Sequence, residues 1–207
     1  MKLESVVYAV SGALFGLIVG WIIGGEQAKL LPRPRPASQQ AEAAPAEAAP
    51  ASGPESSAPA PAVLDQSKVR ALENVVDKEP TNAVARAQLG DLYYDAGKYP
   101  EAIKWYQEAL TLNPKDVNVS TDLGVSYYYN KDTDRAIDQL QKSLQIDPAH
   151  AKTLLNLGVV KAFGKRDLKG ATEAWQKLVQ VAPQTPEGQQ AKQALDSLSS
   201  AHGNIGQ

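Results

Sequence analysis

Prolines 80, 114, 148 and 183 stand 34, 34 and 35 residues apart, and Leu-Gly pairs recur at 89–90, 123–124 and 157–158. A period near 34 constrains the fold more tightly than any composition value. Each unit is one supersecondary element that cannot bury its apolar face alone, so neighbouring units must stack. Inside each unit two helix-patterned stretches flank a turn, marked by Ala96-Gly97-Lys98, Asn130-Lys131-Asp132 and Phe163-Gly164-Lys165. The first helix packs its Leu and aromatic residues on the second. Gly90, Gly124 and Gly158 sit where the two come closest, and Ala102, Ala136 and Ala171 serve the same approach from the other side. Proline after each second helix stops it, because the ring lacks an N–H and clashes with the preceding turn. The third unit carries one extra residue, expected in its turn near Lys165-Arg166-Asp167.

These positions resemble the tetratricopeptide-repeat family. The first repeat, 83–116, has Leu89-Gly90, Tyr93, Ala102, Tyr106, Ala109 and Pro114 in the family's places. The second, 117–150, has Leu123-Gly124, Tyr127, Ala136, Leu140, Ser143 and Pro148. The third, 151–185, has Leu157-Gly158, Ala171, Trp175, Leu178 and Pro183, with Lys161 where an aromatic is usual. The resemblance covers roughly residues 64–198 and implies an all-α solenoid of three helix–turn–helix repeats. Partial caps close it. Val69, Leu72, Val75 and Val76 read as the second helix of an incomplete repeat. Residues 186–198 read as an amphipathic capping helix burying Ala191, Ala194, Leu195 and Leu198. The folded domain is expected over 63–199 and a loose tail over 200–207.

In the family the first helix of each repeat lines a concave surface. The resemblance puts Val84, Ala87, Gln88, Asp91, Tyr94 and Asp95 there from the first repeat, and Asn118, Thr121, Asp122, Val125, Tyr128 and Tyr129 from the second. Lys152, Leu155, Asn156, Val159, Ala162 and Phe163 follow from the third. The candidate partner-binding residues are Gln88, Asp91, Tyr94, Asp95, Asn118, Asp122, Val125, Tyr128, Tyr129, Asn156 and Phe163. Aromatics beside carboxylates suit a peptide or protein with apolar anchors and a Lys or Arg. The same tyrosines have a second reading, as packing between adjacent repeats. The dicarboxylate clamp of chaperone-binding relatives needs Lys and Asn at the fifth and ninth positions of its first repeat, where this chain has Ala87 and Asp91. Chaperone tails are therefore not the expected ligand.

Residues 1–31 read as a single membrane anchor. Val6 to Gly25 contains no charge and no proline, and ~20 apolar residues of helix match the ~30 Å core of a bilayer. Tyr8 and Trp21 lie near its two ends, and Glu26-Gln27-Ala28-Lys29 follows where a cleavage site would be needed. Gly12, Gly16, Gly20 and Gly24 repeat every fourth residue, a face without side chains on which a second helix, from another copy or another protein, can pack. Residues 32–62, rich in Ala and Pro, form a disordered linker that cannot bury enough apolar surface to fold. Counting Lys29, Arg33 and Arg35 against Lys2 favours a cytoplasmic domain. Resemblance to signal-anchored bacterial proteins favours the periplasmic side of the inner membrane, which is the expectation taken here.

The formal net charge is −2 with no basic cluster, which argues against nucleic acid. There is no cysteine, so thiolate chemistry and disulfides are excluded. His150 lies at a repeat junction and His202 in the tail, neither beside a nucleophile or a metal-ligand pattern. No cofactor, no metal and no catalysis are expected. The leading reading is a membrane-anchored interaction scaffold. The alternatives are an assembly factor resembling those of c-type cytochrome maturation, and a self-assembling structural membrane protein.

Overall fold

The computed structural model describes residues 62–203. The expected anchor with its glycine face, the linker up to residue 61 and the last four residues lie outside them. Among the described residues no helix is long and apolar enough to cross a membrane.

Eight helices make up the described segment: α1 Gln66–Lys78, α2 Ala83–Asp95, α3 Tyr99–Leu112, α4 Val117–Tyr129, α5 Thr133–Ile146, α6 Ala151–Val159, α7 Leu168–Val181 and α8 Pro186–Gly203. Short polar side chains start most of them. Asp65, Asn82, Asp116, Asp132 and Asp167 each accept hydrogen bonds from backbone N–H groups of the first turn that have no partner inside the helix. α3 has no such cap and carries Pro100 in its first turn, where the missing N–H is harmless.

Successive helices pack side by side in chain order, which makes a solenoid. Its interior is built on three equivalent crossings. Gly90 of α2 rests on the Tyr106 ring of α3, Gly124 of α4 on Leu140 of α5, and Gly158 of α6 on the Trp175 indole of α7. A Cβ on Gly90 would fall 2.5 Å from Tyr106 Cε1, so each crossing depends on the missing side chain. Ala102, Ala136 and Ala171 are fully buried at the same crossings. Trp175 is also fully buried, and its Nε1 donates to the Leu155 carbonyl at 3.2 Å. Each large apolar side chain buried here contributes roughly 1.5–3 kcal/mol.

The three turns share one left-handed residue: Gly97 at φ 70°, Lys131 at 67° and Arg166 at 59°. The third lies two residues past Gly164, in the pattern's extra-residue position. The insertion is absorbed earlier than the sequence pattern places it. α6 ends in a π turn over Val160–Lys165. The N–H groups of Lys98 and Asp132 reach back five residues, to Tyr93 and Tyr127, whereas Asp167 reaches back six, to Lys161. A wide turn inside the helix accommodates one more residue while the first part of α6 and the start of α7 keep their register. At the C-terminus, α8 runs on to Gly203, past the expected end at 198, with Ala191 and Ala194 buried against the repeats.

Candidate functional site

The end of α2, the start of α3 and the end of α4 converge because the turns at Gly97 and Lys131 bring successive helix ends to one edge. Four tyrosines meet there. Tyr99 stacks on Tyr129 with ring centroids 5.2 Å apart and planes 17° apart. Tyr94 meets both edge-on, at 5.7 Å from Tyr99 and 5.9 Å from Tyr129. Tyr128 tilts against Tyr129 at 5.6 Å. Edge-to-face and offset pairs of this kind add about 0.5–1.5 kcal/mol beyond area burial. Burial pushes the Tyr94 hydroxyl well above its usual range and raises that of Tyr129, and neighbouring phenols reinforce both shifts. All four remain neutral.

Three carboxylates lie beside the cluster. Asp91 accepts a hydrogen bond from the Tyr106 hydroxyl at 2.7 Å. Partial desolvation raises its carboxyl above the ordinary value. The Tyr106 bond opposes that shift, and the charges of Asp122 and Asp95 add to it. Asp95 is raised in the same direction by desolvation and then by Asp122. Asp122 is held at 2.7 Å by Lys152 Nζ from the next repeat. With Asp122 paired, Asp91 and Asp95 are the exposed acids of this face.

The other candidates fare differently. Gln88 is exposed on α2. Asn118 Oδ1 lies 3.1 Å from His150 Nε2, and His150 Nδ1 lies 2.7 Å from Thr153 Oγ1, which ties the second repeat to the third. Val125 is only 8% exposed and Asn156 only 6%. Asn156 donates Nδ2 to the Lys152 carbonyl at 2.8 Å. Both therefore belong to the packed interior. Phe163 is half-buried in the π turn. That turn presses on the second repeat: a Cβ on Gly164 would come within 2.7 Å of Thr133 Cγ2 and 3.1 Å of Tyr128 Cε2, and Lys165 pairs with Asp134. The structure thus joins Asp91, Tyr94, Asp95, Asp122, Tyr128 and Tyr129 in one place, and withdraws Val125 and Asn156 into the packed interior.

The candidate set lacked Tyr99, although it is the residue stacked on Tyr129. Repeat spacing could not reveal it, because Thr133 and Leu168 occupy the equivalent positions. Lys152 holds a concave position by register, and its role shows only once Asp122 is seen across from it.

A family model described as a TPR repeat matches residues 90–131, and one described as a tetratricopeptide repeat matches 118–150. Across residues 90–150 the chain is thus similar to tetratricopeptide repeats. Solved structures share the fold. A crystal structure of MamA is 20% identical with a TM-score of 0.54, over 66% of this chain and 88% of that one. MamA 41-end from Desulfovibrio magneticus RS-1 is 22% identical with a TM-score of 0.53, over 57% and 66%. The first TPR of Spaghetti (RPAP3), bound to the HSP90 peptide SRMEEVD, is 21% identical with a TM-score of 0.53, over 58% and 95%. At such identities the likeness is one of fold. No curated protein matches the chain.

Proposed function

We propose that this chain is a membrane-anchored, non-catalytic scaffold that holds a protein or peptide partner, presenting apolar and basic residues, on the first half of its concave face. The observation that carries the proposal is the pair of exposed acids, Asp91 and Asp95, beside the Tyr94–Tyr99–Tyr129 cluster. A Lys or Arg side chain entering here would gain two carboxylates and the face of an aromatic ring. It would also relieve the repulsion among Asp91, Asp95 and Asp122. The RPAP3 domain holds a peptide ending Glu-Glu-Val-Asp. An acidic tail of that kind would face like charge here. The partner proposed for this chain has the opposite sign.

The anchor belongs to the same proposal: residues 6–25 would hold the domain at a bacterial inner membrane on the periplasmic side, with the linker as a semi-rigid stalk. The test is crosslinking of the full-length chain in cells, compared with a variant carrying Asp95→Lys and Tyr99→Ala. A specific partner captured by the wild type should drop at least ~10-fold in the variant, equivalent to about 1.4 kcal/mol. Undiminished capture would refute the acidic–aromatic site. Protease digestion of spheroplasts checks the side of the membrane, since a periplasmic domain is cut and a cytoplasmic one is spared.

A further inference from the structure

The backbone N–H of Ala62 donates to the Asp95 carbonyl at 3.0 Å. The chain therefore enters the described domain at the C-terminal end of α2, the end that carries the Tyr94–Tyr99–Tyr129 cluster. Asp91 and Asp95 are four residues apart on α2, which sets them one above the other on one face, ~6 Å along the helix axis. Both are exposed, and the Lys152 ammonium of this face is held by Asp122 at 2.7 Å. Desolvation and the charge of Asp122 raise both carboxyls, so an added cation would be favourable at either.

The chain carries its own cationic, proline-flanked segment upstream. Arg33 and Arg35 alternate with Pro32, Pro34 and Pro36, and they are the only basic residues between Leu30 and Ser67. Proline fixes φ and keeps the residue before it out of the helical region, so such a sequence binds in extended form. At ~3.1 Å per residue, two arginines two residues apart lie ~6 Å apart, which matches the spacing of Asp91 and Asp95. Their long stems take up the twist between them. Proline rings suit an aromatic-lined surface. Residues 37–61 connect this segment to Ala62 and contain Glu42, Glu47 and Glu55 but no cation that would compete for the acids. A flexible chain of that length spans roughly 25–30 Å on average, enough to fold back to a site beside its own point of entry. Tethering of this kind supplies an effective concentration on the order of millimolar.

We propose that residues 32–36 of the same chain occupy the acidic–aromatic site, with Arg33 and Arg35 on Asp91 and Asp95 and the prolines against the tyrosines, until a client displaces them. The inference rests on the reading of that site as one for apolar and basic segments, and adds how access to it is regulated. A segment docked nine-tenths of the time lowers the apparent affinity for a client ~10-fold. Weak basic ligands are then turned away. A client must bring more cationic or apolar contact than the two arginines and three prolines supply, and its binding frees the linker.

The chain has no cysteine, so a reporter pair can be introduced cleanly. Ala37→Cys, next to the segment, is combined with Lys98→Cys, exposed in the turn after α2. The full-length protein is placed at low density in vesicles of phosphatidylethanolamine and phosphatidylglycerol. In a glutathione buffer the fraction of intrachain disulfide reads the effective concentration of one thiol at the other. The expected value is at least tenfold above that of the same protein carrying Arg33→Glu and Arg35→Glu. Adding Asp91→Arg and Asp95→Arg to those reversals should restore it, with circular dichroism confirming intact helices. Equal values with and without the arginines overturn the inference, and assign them to the anionic lipid or to solvent. Failure of the swapped charges to restore the excess overturns it too, as does a disulfide that joins two chains instead. Client crosslinking in cells separates this inference from the scaffold reading. The Arg33→Glu, Arg35→Glu chain should capture at least threefold more client, with its orientation checked by spheroplast digestion. Client capture that needs Asp95 and Tyr99, without any disulfide excess, leaves the scaffold reading standing and removes the self-masking. A disulfide excess that needs Asp95 and Tyr99, with client capture indifferent to both, removes the scaffold reading instead.

Discussion

The first and third repeats place equivalent residues in opposite environments. Gln88 and Asp91 of α2 are exposed, whereas Asn156 and Val159, at the same repeat positions in α6, are buried. The helices themselves are alike in register. Their neighbours differ: α6 lies between α4 and α8, both of which touch it, while α2 has no preceding first helix among the described residues. Repeat position thus sets the direction of a side chain, and the next helix along decides whether a client can reach it. The accessible half of the concave face is the N-terminal half.

The largest expected effect tests this difference at its buried end. Leu155→Ala should destabilise the domain by about 2–5 kcal/mol, since Leu155 is 2% exposed beside Trp175. Gln88→Ala, in the exposed half, should change stability by no more than about 0.5 kcal/mol. Urea unfolding followed by circular dichroism reads both, and similar losses would erase the contrast between the repeats. Next in size, Gly158→Ala should cost about 1–3 kcal/mol by driving a methyl into the Trp175 indole. The same unfolding assay checks it, together with a shift in Trp fluorescence.

Thr121→Val should cost about 1 kcal/mol, because it removes the buried 2.6 Å bond between Thr121 and Thr153 that joins the second repeat to the third. A double-mutant cycle with Thr153→Val should show the two costs to be non-additive. The smallest effect is in the exposed half. The Asp91 carboxyl is raised in the folded protein, so the folded state binds its proton more readily than the unfolded state does. Stability therefore falls as pH rises from the ordinary carboxylate value through the raised one. Asp91→Asn should unfold at a slightly higher urea concentration than wild type at pH 7. That advantage should shrink as pH falls toward 3.8. A constant difference across pH would assign the effect to something other than the carboxyl's charge.

Much of the fold was legible before any coordinates. The Leu-Gly pairs, the small residues at 102, 136 and 171, and the helix-ending prolines 80, 114, 148 and 183 all act locally or at a fixed spacing, and such features repeat visibly in a sequence. The site was less legible. Tyr99 breaks the repeat pattern, so nothing in the period singles it out, and Lys152 matters only because α4 and α6 place it opposite Asp122. Val125 and Asn156 hold concave positions by register but are withdrawn by packing. The extra residue of the third repeat was countable from Pro148 and Pro183. Its location was not, because a helix can absorb an insertion in any turn whose carbonyls find new donors.

The sequence by itself determined the repeat, its period, the glycine crossings and the caps, since each depends on residue type at fixed separation along the chain. Tertiary structure alone decided which repeats stay open, and that Asp122 meets Lys152 of the next repeat while Asp91 meets the Tyr106 hydroxyl. Those outcomes depend on which helix lies beside which. Burial and pairing are properties of neighbours in space, and a period of 34 residues specifies the unit without specifying what covers its ends.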